Sequence, residues 1–537
     1  MKKEKILELC ALGCLFAAYI VLCVFMWERA SYMLDSDCSS EMVLAKFLSN
    51  VGGIMSDRWY YSTEIRVINT QLVWALLFRI IDNWRVVRFI GSIVCYALMA
   101  FSYLYMCRQL KMKNTAAYLS AMVLLLPTSE MYREFVFVNM GYVVYFIQLF
   151  LLMGMLVKMT RVSKRIEAIG TLVAMGVISV FVGMTGLRLF LVFYIPVVFA
   201  ALVWCVWRFA NESGTEKEKI MTVLKGIQGR FLGASIFVSA MAAIGIVYHS
   251  KVLSVKYTFY GFDYMQYSYF SWDPIETVIN WSLEALGYCV NLGLFDALVY
   301  NAVAFLVLFA VIIFVGCLLK APKKYVAEIQ ILDIFFVSNL LLFIAFYTFS
   351  DMSWTHARYV LPIMIFALPI LAMHLSNKCT WYKHIVSVVL IVLVIVSSYQ
   401  RYTLFWQLDK TRDQRDVAAF VTEQGYEEGY ATFWNANILT ELSNGEVDMR
   451  SWIGSDNGES MGKIKSVNDI YHWLQLAEHT ETIPEDKFFI MLTHVEKWMW
   501  PLGIYLPEEN LIYRNETYCV YGFDAYEQLA PELIRGE

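Results

Sequence analysis

Two carboxylates stand two residues apart in an early polar segment of the sequence, which reads YMLDSDCSSE from Tyr32 to Glu41. Asp35 and Asp37 are suited to act as a general base or to hold a divalent cation, because hard cations prefer carboxylate oxygens. The alternative interpretation is a solvated loop or a helix cap, with Asp37 or Ser36 capping a helix that begins near Ser39. The spacing alone leaves both interpretations open.

Further polar groups stand near the ends of apolar stretches. Glu130 lies in the short segment PTSEMYRE, and Arg188, His356 and Arg358 each lie beside a long apolar run. Cations at membrane depth are unfavourable unless they are paired or face a polar cavity, and arginine can bind a phosphate through two parallel hydrogen bonds. We therefore consider these cations candidates for phosphate binding, with snorkelling to lipid headgroups as the alternative.

An aromatic segment runs from Lys251 to Trp272. Such rings can stack on sugar faces, and an aromatic belt at the membrane interface explains them as well. The rings are those of Tyr257, Tyr260, Tyr264, Tyr267, Tyr269 and Trp272.

The composition predicts that a lipid bilayer surrounds most of the chain. Of the 537 residues, 59% are hydrophobic and only 17% are charged, which is too apolar for a soluble enzyme of this size. The net charge of -4 and the lack of a basic stripe argue against nucleic-acid binding. The cysteines form no CxxC pair and no cluster with the spacing of metal ligands.

Apolar windows predict about eleven transmembrane helices, since each must cross about 30 Å of hydrocarbon. The fold class we expect is an all-α polytopic membrane bundle. The windows cover residues 6–27, 86–107, 115–127, 135–157, 167–185, 187–207, 231–249, 297–319, 331–349, 359–375 and 384–400.

Basic residues in alternate connections predict the orientation, because Lys and Arg near span ends favour the cytoplasm. Lys2, Lys3 and Lys5 then place the N-terminus in the cytoplasm. We predict a transmembrane domain over residues 1–400 with long outer loops at 28–85 and 250–296. Residues 401–537 mix helix-like and strand-like pieces, which predicts a small extracytoplasmic α/β domain.

The order of these features resembles the GT-C superfamily of membrane glycosyltransferases, which includes protein mannosyltransferases and lipid A aminoarabinose transferases. In those families the first outer loop carries an Asp-Glu pair that opens a helix, with Ala and a basic residue eight and nine positions after the Asp; here Asp37 is followed by Ala45 and Lys46. The run from Asn69 to Arg88 resembles the families' Lys-Pro-Pro-Leu stretch, Trp-rich helix and Arg that opens the next span. ARYVLP, residues 357–362, is similar to their Arg-Tyr-x-x-Pro motif.

Two departures accompany this resemblance. Cys38 stands where the pair usually has Glu, so that Asp35 or Glu41 must supply any second carboxylate, and Asn69-Thr70-Gln71 replaces Lys-Pro-Pro. The superfamily often places a second acidic group in the loop that here contains Glu130. The identity of any cofactor stays open, and a divalent cation could be held by Asp35 and Glu41.

The resemblance implies an inverting glycosyltransferase of the cell envelope. A sugar would pass from a polyprenyl-phosphate donor to an envelope lipid, glycan or protein at the outer face of the cell membrane. Asp37, or Asp35 as second choice, would be the catalytic base, and Arg358, His356 and Arg188 would bind the donor phosphate. The rival classes are a lipid or glycan transporter, for which mid-span charges and repeats are typical, and a non-catalytic scaffold.

Overall fold

The computed structural model describes residues 2–259, 269–289, 293–320, 325–350, 357–377, 381–452, 466–499 and 505–535. Tyr260, Tyr264, Tyr267 and His356, which the sequence analysis singled out, lie outside these ranges.

Helices dominate the described part of the chain. They are α1 Lys2–Arg29, α2 Ser36–Val51, α3 Gln71–Phe78, α4 Trp84–Gln109, α5 Asn114–Leu124, α6 Glu130–Tyr132, α7 Val143–Met159, α8 Arg165–Thr185, α9 Ile195–Ala210, α10 Glu216–Lys225, α11 Ile227–Tyr248, α12 Ser254–Lys256, α13 Asp273–Ala285, α14 Leu294–Lys320, α15 Ala327–Thr348, α16 Leu361–Met364, α17 Ala367–Ser376, α18 Trp381–Gln407, α19 Arg412–Glu423, α20 Phe433–Leu442, α21 His494–Met499 and α22 Pro531–Arg535. The strands are β1 Trp59–Tyr60, β2 Glu428–Thr432, β3 Asp448–Trp452, β4 Gln475–Leu476, β5 Phe488–Thr493, β6 Leu511–Arg514 and β7 Tyr518–Phe523.

The described residues contain 9 helices long and apolar enough to cross a membrane, or up to 10 if a bent pair counts as one span. The chain is therefore a multi-pass membrane protein, and of the eleven expected windows two form no single long helix among the described residues. The window at 115–127 forms only the 11-residue helix α5, about 16 Å long at 1.5 Å per residue, which is too short to span.

The window at 135–157 is broken. A π-helical segment, Arg133–Val138, follows α6, and the stretch Glu130–Val138 meets α7 at an angle of 92°. At the break Met140 has a φ of 58°, which lies in the left-handed region that a non-glycine residue seldom occupies. A hydropathy window averages over such a break, so the sequence predicts one continuous span where the chain turns.

The chain divides by its internal contacts into two compact units. The first comprises Met1–Phe25, Val94–Lys251 and Phe262–Gln407, and the second comprises Met26–Ile93, Val252–Gly261 and Leu408–Glu537. The first polar segment thus belongs to the same unit as the C-terminal tail. The sequence-based domain boundary at residue 400 stays a prediction.

In the first unit α8 and α11 pack through small residues. A Cβ added to Gly183 would stand 2.0 Å from the Ala242 carbonyl oxygen, and one added to Gly245 would stand 2.1 Å from that of Val180. Small residues allow helices in a membrane to approach closely, because apolar burial alone does not drive their association in lipid. Larger side chains at either glycine would separate the two helices.

The tail of the second unit forms a five-stranded sheet of order β3-β2-β5-β7-β6, in which β2 is parallel to β3 and β5 and the other pairs are antiparallel. Side chains of β5 alternate between two hydrophobic cores, with Phe488 and Ile490 on one side and Phe489 and Met491 on the other. The predicted α/β domain is confirmed, and β5, β6 and β7 are among its strand-like pieces.

The first polar segment is built onto this tail. Helix α2 packs against α3 and α20, and β1 pairs antiparallel with β4, so that Trp59 lies opposite Leu476. Tyr60 stacks on His472 with ring centroids 4.5 Å apart. The first polar segment, which contains α2 and β1, therefore packs against elements of the C-terminal tail that are distant in sequence.

Candidate functional site

Asp35 is the residue that caps helix α2. Its backbone is extended (φ -130°, ψ 170°), and its Oδ1 accepts a hydrogen bond of 2.7 Å from the backbone N–H of Cys38. The Cys38 sulfur lies 3.3 Å from the Asp35 backbone N–H and completes a reciprocal capping box. The expectation that Asp37 or Ser36 caps a helix starting near Ser39 is wrong, because the helix begins three residues earlier.

Asp37 lies in the first turn of α2 and is half-buried. Carboxylates are stabilised there by the partial positive charge of the helix N-terminus. Since Asp35 supplies the cap, Asp37 is not needed to start the helix. Ser36 donates a hydrogen bond from its Oγ to the Phe433 carbonyl and fixes the start of α2 against α20.

A buried ion pair also fixes the start of α2. The Arg88 guanidinium hydrogen-bonds the Glu441 carboxylate in a two-pronged contact, in which Nη2 lies 2.6 Å from Oε2. The same Nη2 donates to the Cys38 carbonyl at 2.9 Å, and the guanidinium lies 5.1 Å from the centre of the Trp74 ring. Both side chains of the pair are about 5% exposed. Arg88, which lies on α4, therefore contacts α20 at Glu441 and α2 at Cys38, the residue that follows Asp37.

Glu41 lies one helical turn after Asp37, on the same face of α2, and is half-buried. Its Oε1 lies 3.4 Å from Nη1 of Arg66, whose Nε is 3.8 Å from Glu64. Burial raises the pKa of the Glu41 carboxyl above its ordinary value, although Arg66 and Asn69 act in the opposite direction. Glu41 lines a cavity of about 10 Å³, room for one water molecule.

No group of three or more His, Cys, Asp or Glu side chains with metal-binding geometry occurs among the described residues. Asp35 and Glu41, the carboxylates expected to hold any cation, make the cap and the contact with Arg66 described above. The proposed cation stays a prediction.

The candidate phosphate-binding cations lie in the first unit. Arg188 and Arg358 share the Tyr359 ring, with guanidinium carbons 4.7 Å and 5.8 Å from its centre, and Arg358 also lies 5.1 Å from the Phe135 ring. Their aromatic neighbours hold both guanidinium planes without neutralising them. The structure thus brings Arg188 and Arg358 together, and it brings Asp35, Asp37 and Glu41 together in the second unit.

Glu130 lies in the turn where the family resemblance implies a second acidic group. Ser129 caps the short helix α6, and the Glu130 carboxylate is 66% exposed with Oε1 3.6 Å from Nη2 of Arg133. Arg133 itself is buried and lies over the Phe405 ring at 4.5 Å. Arg133 was not among the predicted site residues, and its place between two acids, Glu130 and Glu134, was its only signal in the sequence.

The described architecture, a multi-pass helical bundle with a C-terminal α/β domain, is a GT-C-like fold. It is similar to the fold of the oligosaccharyltransferase of Archaeoglobus fulgidus in a crystal structure with zinc and sulfate, at a TM-score of 0.51 and 9% identity over 90% of this chain and 69% of that chain. A second crystal structure of that enzyme, tethered to an acceptor peptide containing an NVT sequon, gives a TM-score of 0.49 and 10% identity over 91% and 69%. At the 9% identity of the first structure the similarity is one of fold.

No protein-family model matches the sequence, and a comparison with curated proteins finds no match.

Proposed function

We propose that the protein is a membrane glycosyltransferase that transfers a sugar from a polyprenyl-phosphate donor to an acceptor of the cell envelope at the outer face of the membrane. The observation that carries this proposal is the position of Asp37, a half-buried carboxylate at a helix start that the Asp35 cap and the Arg88–Glu441 pair hold in place. Fixed placement favours catalysis, since a general base must stay within hydrogen-bond reach of its proton. The GT-C-like fold supports the same class of enzyme.

In the proposed reaction the acceptor hydroxyl gives its proton to Asp37, with Asp35 as the second candidate. The acceptor oxygen forms a bond to the anomeric carbon while the bond from that carbon to the phosphate oxygen breaks, and the electron pair leaves with the polyprenyl phosphate. The configuration at the anomeric carbon is inverted. Arg358, Arg188 and His356 are the proposed partners of the leaving phosphate, whose negative charge they would offset.

Two further carboxylates, Glu41 and Glu130, have proposed roles that follow from their positions. Glu41 has a raised pKa and is suited to exchange a proton near Asp37, and Glu130 is the proposed second acidic group. A divalent cation would help to neutralise the departing phosphate if one is bound. The acceptor is an envelope lipid, glycan or protein; the acceptor peptide of the Archaeoglobus fulgidus enzyme is an example from a protein of similar fold.

The expected result in cells is that deletion of the gene removes one sugar from an envelope glycan, lipid or protein and leaves a polyprenyl-linked sugar to accumulate. Mass spectrometry of envelope glycans and of extracted lipid-linked sugars measures both changes. Loss of the envelope sugar together with a donor trapped on the cytoplasmic face would instead indicate a transporter.

The same deletion strain tests the phosphate site. Arg358→Lys should restore more product than Arg358→Ala and less than the wild-type protein, because Lys keeps the charge and loses the two-pronged geometry. Arg208→Ala is the control, since Arg208 is paired with Glu212 in the last turn of α9 and should restore full product. Equal product from all Arg358 variants would make this residue a headgroup anchor.

We also propose that the N-terminus is cytoplasmic and that the first polar segment and the tail are extracytoplasmic. The pairing of β1 with β4 supports a common side, because two paired strands cannot lie on opposite faces of a membrane.

In a cysteine-free background, a thiol reagent that does not cross membranes should label Asn50→Cys and Glu509→Cys in intact cells. The same reagent should miss Ser213→Cys. All three positions are exposed, so that accessibility within the fold does not decide the result. Labelling of Ser213→Cys alone would reverse the orientation and remove the outer-face mechanism.

A further inference from the structure

A cavity of about 600 Å³ lies within the second unit, separate from the lining around Glu41. It is bounded by the end of α1, the start of α4, helix α19 and the end of α20 with the turn that follows. This volume is within the usual range for small-molecule sites. The residues of α1 and α4 that line the cavity stand near the ends of candidate membrane spans, which is where lipid headgroups are expected.

Part of the cavity is lined by apolar and aromatic side chains from the end of α1, the segment that follows it and the start of α4. Trp27 and Phe89 meet edge to face with centroids 5.0 Å apart, and Met26 and Leu34 extend the same surface. Trp27 is 38% exposed, so that the indole is available to a ligand. Aromatic side chains at the membrane interface favour contact with the upper part of lipid chains.

The charges that line the cavity are of both signs, and some are already neutralised. Arg88 is paired with Glu441, and Arg415 is paired with Asp409 through two contacts of 2.7 Å and 2.9 Å. Among the described residues, these two arginines therefore contribute little net charge to the cavity.

One cation and two acids remain. Arg85 lies over the Trp27 ring at 4.7 Å and donates to the Trp27 carbonyl at 2.8 Å, but no carboxylate of the described residues is within 4.0 Å of it. Glu423 and Glu446 are exposed at the rim and form no ion pair with any described residue. A ligand that matches this set has an apolar tail, a phosphate for Arg85 and an ammonium group for the two glutamates.

We propose that this cavity binds a zwitterionic phospholipid with a primary amine, of the phosphatidylethanolamine type. A primary ammonium group can donate hydrogen bonds to both carboxylates, whereas the trimethylammonium of a choline headgroup has no N–H to donate. A glycerol headgroup has no positive charge and would leave the two glutamates facing an anionic lipid. The proposal is independent of the transfer reaction, because the phospholipid is bound and is not consumed.

Native mass spectrometry of the purified full-length protein tests the site. Titration with phosphatidylethanolamine, phosphatidylcholine and phosphatidylglycerol of identical acyl chains should give the highest occupancy for phosphatidylethanolamine, by about 3-fold or more over each of the others. Arg85→Ala should lower phosphatidylethanolamine affinity by about 2- to 5-fold, which is the range for an exposed ion pair. Glu423→Gln combined with Glu446→Gln should abolish the preference over phosphatidylcholine.

Three controls make the result specific to the cavity. Arg79→Ala and Glu427→Gln remove exposed charges that do not line it and should leave lipid preference unchanged. Ala419→Trp should block the cavity from an exposed position on α19, with loss of bound phosphatidylethanolamine and no loss of folded protein. Equal occupancy by the three lipids, a preference for phosphatidylglycerol, or displacement of phosphatidylethanolamine by polyprenyl phosphate at equal concentration would each overturn the proposal.

Discussion

Asp37→Asn is expected to lower the rate of sugar transfer by at least about 100-fold, because general-base catalysis contributes typically 10²- to 10⁴-fold. Asn is nearly isosteric with Asp, and the cap of α2 is supplied by Asp35, so that the helix start should persist in the variant. The measurement is initial rate in membranes supplied with the donor, together with the amount of protein inserted. Lipid-linked donor should accumulate in cells that carry the variant.

Two matched variants separate a catalytic role from a structural one. Asp57→Asn changes an exposed carboxylate in the same polar segment and should leave the rate nearly unchanged. Asp35→Asn retains an oxygen that can accept the Cys38 N–H, so that it should preserve the helix cap. If Asp37→Asn keeps more than about a tenth of the activity while Asp35→Asn is inactive, then Asp35 is the base. Activity in both variants would contradict the proposed mechanism and favour a scaffold.

Glu441→Ala is expected to destabilise the second unit by about 3–5 kcal/mol, because it leaves the buried Arg88 guanidinium without its carboxylate. At about 2–4 °C per kcal/mol for a unit of this size, the melting temperature of the purified protein should fall by roughly 6 to 20 °C. Tryptophan fluorescence in detergent follows the change, since Trp74 lies beside Arg88. The expected effect is a loss of folding stability, so the melting temperature should fall whether or not substrate is present.

The double variant Arg88→Met with Glu441→Leu gives the decisive comparison. Replacing both charges with apolar groups removes the desolvation penalty together with the attraction, so that the pair should lose less stability than Glu441→Ala alone. Glu478→Ala is the control, because its partner Arg58 is 58% exposed and such an ion pair contributes only about 0–1 kcal/mol. Equal melting temperatures for Glu441→Ala and Glu478→Ala would show that the buried pair does not hold the unit together.

The membrane helices were the most predictable part of the fold. Long apolar runs have few alternatives in a bilayer, and helices α4, α8 and α15 lie close to the windows that predict them. The breaks were not predictable, since a positive φ at Met140 depends on packing and leaves no compositional signal. The helix cap was ambiguous because Asp and Ser are similarly good caps, and here a cysteine, Cys38, completes the capping box in place of a Glu.

The candidate site was predictable only where it is local in sequence. Asp35, Asp37 and Glu41 stand within one helix start, and the spacing of an α-helix places Asp37 and Glu41 on one face. The pairing of Arg88 with Glu441 joins residues 353 positions apart, and no periodic pattern specifies such a partner. An acid within the largely buried helix α20 was the only hint of that contact.

The discontinuous make-up of the second unit has a consequence for biosynthesis. Its first segment, Met26–Ile93, leaves the ribosome long before Leu408–Glu537, although in the folded protein β1 pairs with β4 and Ser36 donates to the Phe433 carbonyl. Ser36 and Phe433 are 397 positions apart, and at the usual 5–20 residues per second this stretch takes about 20 to 80 s to synthesise. During that interval the start of α2 exists without the partners that bury it. The first segment is therefore exposed to proteases and to mispairing until the tail that follows α18 has been synthesised.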